Sequence, residues 1–110
     1  MKSEYSPYIA IQVQDYEKAM KFYQEVLGME ITEIKGNDTY MKKGIMNFVF
    51  ENGGKAGTVF FEFKVDDVQK ARKELEANGC TVTQEYSDNN MMISDPFGMN
   101  FHIWQDGAEL

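Results

Sequence analysis

Apolar and polar positions alternate over residues 8 to 14, so that Ile9, Ile11 and Val13 fall on one face of a strand and Tyr8, Ala10, Gln12 and Gln14 on the other. The period then changes. Tyr16, Ala19, Met20, Tyr23, Val26 and Leu27 recur at helical spacing and predict a buried stripe. Asp15 stands where a carboxylate can accept from the amides of the first turn, and Gly28 where a left-handed residue ends a helix. Strands are expected near residues 29–35, 39–42 and 46–51, separated by the turn-forming Gly36-Asn37-Asp38 and Lys43-Gly44. The same order returns further on: a strand over 58–65, a helix over 67–78 capped by Asp67 with Val68, Ala71 and Leu75 on one stripe, then strands near 80–86, 90–94 and 99–105. Between the last two, Asp95-Pro96-Phe97-Gly98 fits a type I turn, with Asp first, Pro second and Gly fourth.

The recurrence extends to residue identity. The valine, aspartate and Lys-Ala pair of Val13-Gln14-Asp15-Tyr16-Glu17-Lys18-Ala19 come again in Val65-Asp66-Asp67-Val68-Gln69-Lys70-Ala71, 65 − 13 = 52 residues later. The chain therefore reads as one unit used twice, with modules over about 5–52 and 58–107 joined by the flexible stretch Asn52-Gly53-Gly54-Lys55-Ala56-Gly57. A half of about 52 residues is marginal alone, so residues 1–110 are expected to form a single domain whose halves pack together or across a dimer.

Charge and composition narrow the function classes. Eleven basic against eighteen acidic residues leave a net charge of −7, which repels polyphosphate and anionic lipid, so neither nucleic acid nor a membrane surface is an expected partner. No apolar run approaches the roughly 20 residues that span a bilayer. The start Met1-Lys2-Ser3-Glu4-Tyr5 lacks the apolar core of a secretion signal, and the lone Cys80 excludes an internal disulfide framework, so the expected location is cytoplasmic. Eight Phe, six Tyr, eight Met and one Trp supply either a methionine-rich core or an apolar surface for a ligand or a second subunit.

Three segments carry a family resemblance: Asp15-Tyr16-Glu17-Lys18-Ala19-Met20-Lys21-Phe22-Tyr23 running into Val26-Leu27-Gly28-Met29, the stretch from Val65 to Gly79, and Asp95-Pro96-Phe97-Gly98 with the last strand. Together they resemble the vicinal oxygen chelate superfamily of glyoxalases, fosfomycin-resistance transferases, extradiol dioxygenases and bleomycin-resistance proteins. The resemblance implies an α+β fold, two tandem βαβββ modules whose mixed sheet curls into a half-open cup with the helices on the convex side. It also implies a dimer and, in metal-dependent members, four His, Glu or Gln ligands on the first and last strands of the modules. Counting seven residues back from Asp15 and Asp67 gives Tyr8 and Phe60 for the first-strand positions, and seven forward from Asp95 gives His102. Pairing Glu51-Asn52-Gly53 with Gln105-Asp106-Gly107 sets Phe48 opposite His102. One imidazole among three aromatic rings is a poor site for a divalent ion. No metal cofactor is therefore expected, the alternative being a shifted ion held by His102 and Glu62.

The site residues expected to line the cup are Tyr8, Gln12, Phe48, Phe50, Phe60, Glu62, Asn100, His102 and Trp104. His102, the single histidine, is either a hydrogen-bonded wall residue or the polar anchor of a ligand. Glu62, inside Val59-Phe60-Phe61-Glu62-Phe63, either faces water or pairs with His102 or a cationic ligand. Cys80 reads as a packing residue. Three functions compete: a metal-free binder of the bleomycin-resistance kind, holding a planar or amphipathic small molecule in an aromatic cup at a homodimer interface; a divalent-metal lyase of the glyoxalase type; and an interaction module whose cup another protein fills. Whether the chain is an enzyme stays open between them.

Overall fold

The structure, a computed structural model, describes residues 1–107. In chain order its elements are β1 (Ser3–Val13), α1 (Tyr16–Glu25), β2 (Glu30–Lys35), β3 (Asp38–Lys43), β4 (Met46–Asn52), β5 (Val59–Val65), α2 (Val68–Ala77), β6 (Thr81–Ser87), β7 (Asn90–Ser94) and β8 (Asn100–Trp104). The class is α+β, and the order strand, helix, three strands occurs twice, as the repeat predicts. Both halves are wound alike. The first runs β1-β4-β3-β2 with β1 parallel to β4 and its other pairs antiparallel. The second runs β5-β8-β7-β6 with β5 parallel to β8 and its other pairs antiparallel. A parallel pair needs a long crossover, and the helix with its two following strands supplies it.

Two compact units result: Pro7–Val59, and Met1–Ser6 together with the chain from Phe60 onward. The first six residues belong with the second module because Asp66 N donates to Lys2 O at 3.2 Å and the Tyr5 ring lies 6.5 Å from Phe61 and 6.2 Å from Phe63.

In the Pro7–Val59 unit the core is Val13, Met20, Met41 and Phe50, with Ile11, Tyr16, Ala19, Tyr23, Met29 and Phe48 packed against it. The expected stripe of α1 holds as far as Tyr23 and then fails. The helix ends at Glu25, so Val26 (67% exposed) and Leu27 (44%) fall past its last turn instead of on its buried face. Asp15 also departs from expectation. Its backbone is left-handed, at φ 51°, and its side chain caps nothing; the carboxylate instead lies 3.5 Å from Lys18 Nζ. A capping side chain needs extended backbone to reach the free amides, which Asp67 has at φ −149° and uses to accept from Lys70 N at 3.1 Å. Asp67→Ala is therefore expected to cost about 1 kcal/mol in urea denaturation, whereas Asp15→Gly, which frees a left-handed backbone of its Cβ, is expected to leave stability unchanged or raised.

In the other unit Val65, Val68, Ala71, Met91, Ile93, Phe101 and Ile103 form the core, with Phe63, Leu75, Cys80 and Val82 against it. Cys80 packs there, as expected. Burial pushes its thiol above the ordinary range, with the charge of Asp95 adding to the effect, which leaves it a weak nucleophile. Asp95 also holds the turn to β8, its Oδ1 accepting from Phe97 N at 2.8 Å and Met99 N at 2.9 Å.

Candidate functional site

Side chains alternate across β5 and β8, and in the unit that contains them the alternation sorts chemistry from packing. Phe63, Phe101 and Ile103 lie in the α2-side core, so Phe60, Glu62, Lys64, His102 and Trp104 share the opposite face. Register completes the set. Glu62 is opposite His102 and Lys64 opposite Trp104; on the far side of β8, Met92 is opposite His102 and Asn90 opposite Trp104.

A polar chain crosses these strands. Ser6 Oγ donates to Glu62 Oε2 at 3.5 Å, Glu62 Oε1 lies 3.7 Å from His102 Nδ1, and His102 Nε2 is hydrogen-bonded to Asn90 Oδ1. The ring thus donates from one nitrogen to an amide and sets the other beside a carboxylate, an ion pair only when both nitrogens carry protons. His102 and Asn90 are 7% and 4% exposed. Phe60 and Tyr86 stand edge-on to the imidazole, with centroids 6.4 and 5.8 Å away. The chain of polar groups is therefore walled by rings, where hydrogen bonds gain strength and a lost partner is costly.

Two residues along β8, Trp104 presents a different situation. Lys64 Nζ lies 5.5 Å from its ring centre, a cation over an aromatic face. The indole Nε1 is buried and has no hydrogen-bond partner among the described residues. Lys64 is held by Asp106, at 2.7 Å, and this hydrogen bond raises its pKa above the usual lysine value against the opposing effect of burial. A cavity of about 300 Å³ adjoins it, lined by Lys2, Glu4, Lys64, Asp66 and Asp106 among others.

The predicted site residues are thus only partly brought together. Phe60, Glu62, His102 and Trp104 share one face, and Asn100 lies half-buried at the start of β8 opposite Ser94. Ser6, Tyr86 and Asn90 were missed. Asn90 was legible in principle, because core positions for Met91 and Ile93 place Asn90 and Met92 on the His102 face.

In the Pro7–Val59 unit Tyr8 stacks edge-on against Tyr40 at 5.3 Å. Gln12 holds the loop that follows β4: its Nε2 donates to Glu51 Oε1 at 3.3 Å and its Oε1 accepts from Lys55 N at 3.1 Å. Phe48 and Phe50 are not on the face of Tyr8 and Gln12. Parallel pairing sets Phe48 beside Ile9 and Phe50 beside Ile11, so both rings belong to the helix-side core, with Phe50 4.3 Å from Tyr23. The partner of His102 in the repeat is also corrected. Glu62 opposite His102 corresponds to Ala10 opposite Val49, which makes Val49, not Phe48, the counterpart. The expected alignment is one residue out because Gly107 matches the second glycine of Gly53-Gly54, not the first.

The family model of the glyoxalase/bleomycin resistance protein/dioxygenase superfamily matches residues 6–103. The chain belongs to this superfamily. Among solved structures, it resembles a superfamily member from Vibrio splendidus 12B01 at 18% identity, covering 94% of this chain and 100% of that one, with a TM-score of 0.65. Homoprotocatechuate 2,3-dioxygenase from Brevibacterium fuscum, in an anaerobic complex with 3,4-dihydroxyphenylacetate, is 20% identical with a TM-score of 0.65 over 94% of this chain. The present chain spans 37% of that enzyme. A hypothetical protein of Bacillus halodurans C-125 superposes over 100% of this chain and 99% of its own at 9% identity, with a TM-score of 0.69. At such identities the likeness is one of fold. No curated protein matches the sequence.

The metal set of the superfamily does not fit these residues. The positions that the resemblance assigns to its ligands are Tyr8 and Val49 in one unit and Phe60 and His102 in the other, and they offer one phenol, one imidazole and two hydrocarbon side chains. The imidazole is already bonded through Nε2 to Asn90. The shifted arrangement reaches two donors, Glu62 and His102, where a divalent ion needs three or four from the protein. No group of three or more His, Cys, Asp or Glu among the described residues is placed to hold one.

Proposed function

We propose that this superfamily member is a metal-free binding protein for a planar or amphipathic small molecule, taken up against the Glu62, His102 and Trp104 face. The observation that carries the reading is the buried Trp104 Nε1 without an acceptor. An indole N–H removed from water and left unpaired is costly, and a ligand carbonyl, carboxylate or hydroxyl would complete it. Tyr86 supplies exposed ring surface beside the imidazole, which the buried Phe60 walls edge-on, while His102, bonded to Asn90 and set beside Glu62, supplies a polar anchor.

Calorimetric titration of a panel of planar aromatic compounds tests this. The panel includes 3,4-dihydroxyphenylacetate, bound by the Brevibacterium dioxygenase, and the titration is run with a chelator present. Binding in the micromolar range is expected to survive chelation. Trp104→Phe, which keeps a ring and deletes the N–H, is expected to weaken it about five- to tenfold, or roughly 1 kcal/mol. Binding that appears only after loading with zinc, manganese, iron or nickel, and disappears in His102→Ala, would replace this reading with that of a metal-dependent lyase.

A further inference from the structure

β2 is the outermost strand of its sheet, paired to β3 on one side only, and all six of its residues, Glu30-Ile31-Thr32-Glu33-Ile34-Lys35, are exposed. Ile31 is 37% and Ile34 61% exposed. An edge that shows both its backbone groups and two isoleucines is a template for another strand. The sequence says which strand. Turned antiparallel on itself about a point between Thr32 and Glu33, this segment sets Glu30 against Lys35, Ile31 against Ile34 and Thr32 against Glu33. Every apolar residue then meets an apolar one, and each end pairs opposite charges.

Regular strand geometry would forbid that register. Residues 31 and 34 lie an odd number of positions apart and would point to opposite faces, whereas partners across a sheet share one. The structure removes the obstacle. The β2 to β3 ladder shifts between Ile31 and Glu33, so that Ile31 pairs with Met41 and Ile34 with Thr39, two residues of the same face of β3. Both isoleucines are thereby brought to one side of β2, and Glu30 and Lys35 to the other. At the outer edge of the second unit, β6 carries two such shifts, and its Glu85 is bound to Arg72.

We propose that two copies of this chain pair through β2, antiparallel about a two-fold axis, with an Ile31–Ile34 cluster on one face and two Glu30–Lys35 ion pairs on the other. The proposal is independent of any ligand.

Sedimentation equilibrium of the full chain tests it. Wild-type protein is expected to dimerise reversibly with a dissociation constant in the micromolar range. Lys35→Glu sets a carboxylate against the partner's Glu30 at both ends and is expected to raise that constant about tenfold or more. The double variant Glu30→Lys/Lys35→Glu restores both pairs and is expected to return it to within about threefold of wild type. Both positions are exposed, so far-ultraviolet circular dichroism should not change, while the thermal midpoint is expected to fall slightly, because Lys35 faces Asp38 and Glu30 faces Lys42 across β3. A monomer up to about 1 mM, a dimer indifferent to Lys35→Glu, or a double variant as weak as the single would each overturn the proposal.

Discussion

Phe50→Ala is expected to remove about 3–5 kcal/mol of folding stability, the largest loss of any single substitution considered. The ring is fully buried, packs with Val13, Met20 and Met41, and stands 4.3 Å from Tyr23 of α1. Truncation leaves a cavity between sheet and helix that neighbouring side chains fill only in part. The partly buried Phe48, on the same face, is expected to lose roughly 1–2 kcal/mol by the same change. Urea denaturation followed by circular dichroism measures both. A loss below about 1 kcal/mol for Phe50→Ala would put its ring on an open wall, where alternation read from sequence had placed it.

That misplacement shows where the sequence stops being legible. Periodicity and the 52-residue repeat carry the fold because they describe local geometry: among the described residues both helices, the glycines after them and the strands β2 to β8 lie close to their expected places, whereas β1 begins at Ser3, ahead of the expected start at Tyr8. Which face a strand buries is another matter. It depends on the register between strands far apart in sequence, and a slip of one residue inverts every side chain. For β5 and β8 the Asp95-Pro96-Phe97-Gly98 turn fixed the count, and Phe60, Glu62, His102 and Trp104 came out on one face. For β4 the count was anchored on Gly53 in a run of two glycines, and it missed by one. Asp15 failed differently. Its residue type suits a cap, but its left-handed backbone, which composition does not reveal, points the side chain elsewhere.

The polar chain at His102 makes the second large prediction. Asn90→Ala is expected to cost about 1–3 kcal/mol, because it strips an acceptor from an imidazole that is only 7% exposed. His102→Leu should cost a similar amount by removing the donor to Asn90 Oδ1 and the neighbour of Glu62. The informative quantity is the double variant. Once both partners are gone, neither leaves the other unpaired, so Asn90→Ala/His102→Leu is expected to be more stable than the sum of the single losses by about 1 kcal/mol or more. Urea denaturation of the four proteins gives that coupling directly. A coupling near zero would mean that the Asn90 contact does not hold the ring, and the imidazole would lose its standing as a fixed anchor. A large coupling fixes the ring plane before any ligand arrives, so that the affinity of a molecule meeting Trp104 and His102 is not spent on ordering them.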